Sequence, residues 1–320
     1  MSTFYKTAFT LIELLVVIAI IGILSGLIIV TLGGMTDKAN IAKAQVFSNS
    51  LRNGLLGNLV SEWNFNNTIG TVDSVLTNGT VISDSWTGSY PGTTVNGPTL
   101  KGGTDCIYDK CLSFDGSNDY VAIGNVNLNI TNQMTVGLWV KFIGLDYTGS
   151  TGVLNTFLGK GYPDTAPGTP SSGFWFSYDN RGNGKGFNYT CFGNSAGGYS
   201  GGGNNFPYNY TFSNNVWYYL SFTVDSSSNA KLYINASQLG ATRVFTNLVL
   251  TNNTNILNIG SSSMIGSYFK GLLDDVRIYN TAMPISQIKE QYYAGLNNLL
   301  INGSITKEEY ISRIDSYGKY

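Results

Sequence analysis

A stretch of 23 residues without a charge, Leu14 to Thr36, constrains this chain more than any other feature. At 1.5 Å per residue it spans about 34 Å as a helix, enough to cross a bilayer. In lipid every backbone polar group must be satisfied within the segment, so helix is the conformation expected. Glu13 stands at the start of the run, where a carboxylate is costly unless a partner neutralises it. The preceding octapeptide MSTFYKTA carries Lys6 and no acid. That bias favours a cytoplasmic N-terminus. A secretory signal has a shorter apolar core, and a plain anchor has no use for Glu13; both remain as alternatives. From Asp37 onwards Ala44, Phe47, Leu51, Leu55 and Leu59 recur at steps of three and four, which continues the helix in amphipathic form.

The segment Ala8-Phe9-Thr10-Leu11-Ile12-Glu13-Leu14, after a short basic leader and before a long apolar run, resembles the N-terminus of type IV prepilins and type II secretion pseudopilins. The resemblance implies cleavage between Ala8 and Phe9 by a prepilin peptidase, methylation of the new Phe9 amine, and assembly through the helix. It makes Glu13 the fifth mature residue; Ala8 departs from the commoner Gly at the cut. A carboxylate inside a packed filament needs a cation, and the freed amine of Phe9, on the same or a neighbouring subunit, is the nearest source. Pairing the two offsets the burial of both charges and sets subunit register.

Beyond Leu59 the chain changes character. Short runs rich in β-formers, such as CLSFDG, YVAIG, MTVGLWVKF, VWYYLSFTVD, AKLYINA and LLDDVRIY, are separated by Gly, Asn, Asp and Ser. This is the layout of an antiparallel sandwich or jelly roll. In the last run, alternation puts Val276 and Ile278 on one face and Arg277 and Tyr279 on the other. It extends to an inward Asp274 and a solvated Asp275–Arg277 pair. Asp115 and Asp119 in the DGSND turn are expected to shape it through Asx hydrogen bonds. After Pro284, ISQIKEQYYAGLNNLL and SITKEEYISRI, broken at Asn302-Gly303, predict a short helical hairpin capped at Ser304 or Thr306.

The pieces SEWNFNN (61–67), CLSFDGSNDYVAIG (111–124), TVGLWVKF (135–142), WYYLSFTVD (217–225), KLYINA (231–236) and GLLDDVRIYNTAMPISQI (271–288) resemble, in order and spacing, the laminin-G-like, concanavalin A-like jelly roll. The resemblance implies a binding module, often for glycans, and a structural calcium held in part by Asp274 and an early Asp, here Asp73. The fold class expected is therefore α+β. The order is a leader (1–8), a pilin-type transmembrane and assembly helix (9–58), an antiparallel jelly-roll head (59–285) and a C-terminal helical hairpin (286–320).

Composition excludes several activities. With no histidine, there is no Ser-His-Asp triad and no His-ligated metal. The five Glu are Glu13, Glu62, Glu290, Glu308 and Glu309, so the paired glutamates of the related glycanases are missing. Neighbours on a strand face opposite ways, which argues against Asp274 and Asp275 as a substitute pair. No enzymatic activity is expected. Charged residues make up 12% and the net charge is -1, which leaves no basic footprint for nucleic acid. In an exported domain Cys106 and Cys111 are expected to close a small disulfide loop, leaving Cys191 unpaired.

The stretches 161–173 and 180–210 are long, Gly- and Asn-rich and dotted with aromatics, where recognition usually sits on a rigid scaffold. Trp175, Tyr199, Tyr208 and Tyr210 are the candidate sugar-stacking platform, with Arg181 and Asn205 as polar contacts; core packing competes for each aromatic. The expectation is a pilin-like subunit of a type IV pilus or related surface filament. It would pass through the cytoplasmic membrane, meet other pilin subunits and the peptidase, and bind a glycan or surface protein through its head. The alternatives are a type II secretion pseudopilin touching secreted cargo and a membrane-anchored surface lectin.

Overall fold

The computed structural model describes residues 10–23, 56–145, 154–161, 173–179, 186–192, 210–245, 256–262 and 267–315. The chain falls into two compact units, Met1–Ser50 and Leu51–Tyr320.

In the first unit residues 11–23 form a helix, α1. Its start is a reciprocal capping box. The Thr10 backbone N–H donates to Glu13 Oε2 at 2.8 Å, the Thr10 hydroxyl donates to the same oxygen at 2.7 Å, and the Glu13 N–H donates back to Thr10 Oγ1 at 3.3 Å. Every described side chain of α1 is exposed, Leu11 at 80% and Ile12 at 72% among them. An all-round apolar helix of this kind needs lipid or other helices around it. No helix among the described residues is by itself long and apolar enough to cross a membrane. The apolar run of the sequence continues to Thr36, outside the described residues.

In the second unit the described strands form two antiparallel sheets. In chain order they are β1 (Leu59–Trp63), β2 (Val81–Ile82), β3 (Gly92–Val95), β4 (Thr99–Gly102), β5 (Lys110–Asp115), β6 (Tyr120–Asn125), β7 (Met134–Phe142) and β8 (Leu154–Lys160). There follow β9 (Gly173–Asp179), β10 (Gly186–Phe192), β11 (Trp217–Val224), β12 (Asn229–Ile234), β13 (Ser237–Gln238), β14 (Arg243–Val244), β15 (Ile256–Ile259) and β16 (Lys270–Tyr279). The first sheet runs β13-β12-β11-β7-β16-β5-β4, with β1 beside β16 and β14 beside β12; the second runs β10-β9-β8-β15-β6-β3-β2. Consecutive strands often lie in different sheets, as the jelly-roll pattern requires.

Between the sheets sits one core. Val136, Leu138, Val140 and Phe142 of β7, Leu220 and Phe222 of β11, and Val276 and Ile278 of β16 meet Phe157, Phe176, Leu257 and Ile259 of the second sheet. The first sheet is also covered on its outer side. There Trp139, Tyr219, Leu272 and Tyr279 pack against Ile288, Tyr292, Leu296 and Leu299 of the helix α2 (Ile285–Ile301) and against Cys106, Ile107 and Cys111. Double-sided burial is why β7 and β11 read as near-continuous apolar runs without clean alternation.

The helix α2 ends in a Schellman turn: Gly303 has φ +81°, its N–H reaches Leu300 O, and the Ser304 N–H reaches Leu299 O at 2.9 Å. A second helix, α3 (Lys307–Asp315), follows, capped by Thr306, whose hydroxyl accepts the Glu309 N–H at 3.2 Å. Within α2, Gly295 faces the Trp139 indole, and a Cβ there would run into the ring. Trp139 is itself stacked on Tyr292 at 5.7 Å and tilted against Tyr219 at 5.4 Å, so it has no room to yield. Helix propensity alone makes Gly295→Ala stabilising by about 1 kcal/mol. Overpacking, at about 1–3 kcal/mol, reverses that sign. Thermal melts of the head should therefore show a lowered Tm for Gly295→Ala; a raised Tm would mean that α2 does not press on the sheet at this point.

Candidate functional site

Strand β16 brings two fully buried carboxylates, Asp274 and Asp275, and the nearly buried Arg277 close together. Its pairing with β7 is in register at Asp274 opposite Trp139 and again at Arg277 opposite Gly137, so three steps along β16 match two along β7. The extra residue is a β-bulge, and Asp275 takes φ +51° within it. The bulge breaks the two-residue period. Leu273, Val276 and Ile278 all face the core between the sheets, whereas Asp274 turns to the outer side. Two expectations are corrected by this. Asp274 does not share a face with Val276 and Ile278, and Asp274 and Asp275 do not point opposite ways.

On that outer side Arg277 gathers three elements. Its Nε donates to Glu62 Oε1 of β1 at 2.7 Å, its Nη2 lies 2.9 Å from Asp275 Oδ1, and its Nη1 donates to Gln291 of α2. Glu62 and Arg277 are direct cross-strand partners. The Arg277 side chain is 11% exposed and that of Asp275 2%, so the pair expected to be solvated is a buried network. Its one sequence signal was Glu62, the single Glu between Glu13 and Glu290, in a strand otherwise ready for the core.

Asp274 Oδ2 accepts the backbone N–H groups of Ile107, at 2.8 Å, and Tyr108, at 3.1 Å. These belong to the loop closed by the Cys106–Cys111 disulfide, which is present. Burial pushes the Asp274 carboxyl well above the ordinary carboxylate range, the Asp275 charge adds to this, and the two loop amides oppose it. The other expected calcium ligand, Asp73, lies with its side chain 65% exposed and paired to Lys101 Nζ at 2.7 Å. As a cation pair the two do not fit: an ammonium already holds one carboxylate, and backbone donors hold the other. No group of three or more Cys, Asp or Glu side chains among the described residues is arranged to hold a metal ion.

In the DGSND turn, Asp115 Oδ1 accepts the Ser117 and Asn118 N–H groups, and Asp119 Oδ2 accepts the Asp115 N–H at 3.2 Å. Burial, together with the neighbouring Asp115 charge, pushes Asp119 up to about 6. These carboxylates shape the turn as expected.

The second sheet has a different outer face. Along β9, Phe174, Phe176 and Tyr178 belong to the core, while Trp175 and Ser177 do not; along β15, Asn258 turns away from Leu257 and Ile259. Trp175, Gly159 and Asn258 are neighbours across β9, β8 and β15 on this polar face. Trp175 is only 6% exposed, and its Nε1 donates to Gly161 O at 3.3 Å. The Asn258 Oδ1 is buried without a hydrogen-bond partner. Tyr210 is half-buried, 4.7 Å from Phe212 and edge-on to Tyr218 at 6.3 Å. Both described members of the expected platform are thus packed in place. Arg181, Tyr199, Asn205 and Tyr208 lie outside the described residues, as do Ala8 and Phe9. Cys191 falls on β10, whose backbone alone is described.

Residues 115–289 match the family model of the concanavalin A-like lectin/glucanases superfamily. The chain belongs to that superfamily. Residues 4–29 match the prokaryotic N-terminal methylation motif, so this concanavalin A-like head is joined to a pilin-type N-terminus. No curated protein matches the sequence. Among solved structures, domain 4 of AbnA, a GH43 extracellular arabinanase from Geobacillus stearothermophilus in complex with arabinotriose, is 22% identical with a TM-score of 0.52, covering 73% of this chain and 97% of that one. The binding domain of Paraclostridial Mosquitocidal Protein 1 is 16% identical with a TM-score of 0.52, over 76% of this chain and 53% of that one. Trypanosoma rangeli sialidase is similar at 15% identity and a TM-score of 0.44, over 68% of this chain and 31% of that one. At these identities the first two show the fold.

The buried network sets a clear energetic expectation for the concanavalin A-like head. Arg277→Met leaves Glu62 and Asp275 buried without their cation, and a loss of about 3–5 kcal/mol is expected in a urea melt. Adding Glu62→Gln to it should recover part of the loss. A single variant as stable as the parent would show that the network is not closed by Arg277.

Proposed function

We propose that this chain is a pilin-like subunit of a type IV pilus or related surface filament, with a concanavalin A-like head that binds a glycan or a surface protein in adhesion. One observation carries the reading: a methylation motif matched over residues 4–29 contains an apolar helix whose described side chains are all exposed, on the same chain as a lectin-like sandwich. The helix supplies assembly. The bilayer keeps the helix's exposed Leu, Ile and Val side chains out of water, at about 25 cal/mol for each Å² of apolar surface. On assembly they exchange lipid for close packing against neighbouring helices, which shape fit and interhelical contacts favour. The subunit waits in the cytoplasmic membrane. Cleavage between Ala8 and Phe9 by the prepilin peptidase then frees an amine, methylated in turn, four residues before Glu13. In the filament this amine takes the Glu13 carboxylate, which in α1 is satisfied by Thr10.

The head supplies recognition without catalysis. Asp274 and Asp275 share a side, but both are buried beneath α2 and the disulfide loop and held by protein partners. A glycosidase needs two carboxylates open to the scissile bond. The second sheet, with its polar outer face, the connection 162–172 between β8 and β9 and the chain 193–209 that leaves β10 for the first sheet, is the side on which the ligand is read.

Two measurements test the two halves separately. Glu13→Ala should leave the subunit in the membrane fraction and lower its amount in sheared filaments at least tenfold; undiminished incorporation would leave a plain membrane anchor. Full-length protein in detergent, probed on a glycan array, should retain a defined set of sugars, and retention should fall in Tyr199→Ala and Tyr208→Ala. A blank array with positive binding to host-surface or neighbouring-cell proteins would move the ligand to the protein class.

A further inference from the structure

The loop 104–111, whose second part is the ring closed by Cys106 and Cys111, is fastened through backbone groups on both sides of Cys106. Thr104 O accepts the Ser304 hydroxyl at 2.7 Å, and Cys106 O accepts Asn302 Nδ2 at 2.9 Å. Asp105 O accepts Lys141 Nζ at 2.9 Å and Trp217 Nε1 at 3.1 Å. The Ile107 and Tyr108 N–H groups go to Asp274. Lys141, Trp217 and Asp274 belong to β7, β11 and β16, so the loop is fastened to the sheet on one side. Asn302 and Ser304 lie at the turn between α2 and α3, so the helical hairpin is fastened to the loop on the other. Cys106 and Cys111 are both fully buried, in one cluster with Ile107, Tyr292, Leu296 and Leu299.

We propose that this loop and the hairpin form a redox latch: closing the disulfide organises the surface on which α2 and α3 dock, and docking then seals the disulfide from reductants. As a dithiol, residues 106–109, which lead into β5 at Lys110, regain backbone freedom, and the ordered set of carbonyls and amides of the loop 104–108 is held less firmly. Closure takes a disulfide oxidant, small or protein-borne. The Cys106 thiolate attacks one sulfur of that oxidant and expels the other as a thiolate. The Cys111 thiolate then displaces the remaining half. The ring disulfide forms, the oxidant leaves as two thiols, and the two protons of the original cysteines pass to them. Once the hairpin docks, an incoming thiolate has no path to either sulfur until α2 lifts. The coupling is reciprocal: whatever factor the disulfide adds to hairpin docking, docking adds to the disulfide. The latch is independent of what the head binds.

Full-length protein in detergent micelles, held under native conditions with dithiothreitol and quenched by alkylation, reports the latch through peptide-resolved mass spectrometry of Cys106 and Cys111. In Asn302→Ala/Ser304→Ala, which keeps both cysteines, reduction should run at least tenfold faster than in the parent. In Cys106→Ser/Cys111→Ser, amide exchange across 285–301 should rise at least tenfold while β7 and β11 stay protected. Equal reduction rates in parent and double variant would overturn the proposal, as would unchanged exchange in α2. Exchange of α2, β7 and β11 all together would also overturn it, by making the hairpin part of one cooperative unit.

Discussion

The guanidinium of Arg277 holds together the covered side of the head. It joins β1 through Glu62, its own strand through Asp275 and the helix α2 through Gln291, all with little access to water. In such surroundings a lone charge is strongly unfavourable, and three partners from three elements offset that cost only in one arrangement. The network therefore specifies where α2 lies as much as it stabilises it. The apolar contacts of Trp139, Tyr292 and Leu296 supply the attraction, but they would tolerate a shifted helix; the charged contacts would not.

The two units of the chain meet the same physical demand in different ways. In the head, apolar surface is removed from water by folding: one core lies between the sheets, and a second lies between the first sheet and its helical cover. In the N-terminal unit the helix cannot bury its side chains against itself, and the surface stays open. Only a bilayer or other helices can cover it. A subunit built this way is stable as a head and incomplete as a helix, which is the condition for a monomer that is stored in a membrane and later polymerises. In α1 the capping box gives the Glu13 carboxylate a modest local partner, Thr10.

The bulge in β16 shows how one backbone conformation redirects chemistry. With regular alternation, Asp274 would sit in the core between the sheets and demand a cation or several donors. With Asp275 at positive φ, Asp274 faces the disulfide loop, where amide donors are waiting. The loop, the bulge and the helix are thus a matched set. The loop presents N–H groups inward to Asp274 and carbonyls outward to Asn302 and Ser304.

Much of this was written in the linear order of residues, because the physics behind it is local. A 23-residue apolar run, a capping Thr three places before Glu13, turn-bounded β-forming segments, a Schellman glycine at Gly303 and two cysteines five apart each act over a few neighbours. They determined the apolar N-terminal helix α1, the sandwich, the hairpin and the disulfide. What the tertiary structure decided depended on partners far along the chain. The outer face of the first sheet is buried because α2 returns to it from the C-terminal side, so Arg277 and Asp275 are enclosed although strand pattern put them in solvent. Asp274 changed faces because a bulge shifts the side-chain period by one residue, and period counting has no means to register an insertion that is fixed only by pairing with β7. Trp175 and Tyr210 are packed in place for the same reason: whether an aromatic ring meets a sugar or its own protein is settled by what folds over it, and that is a property of the assembled sandwich.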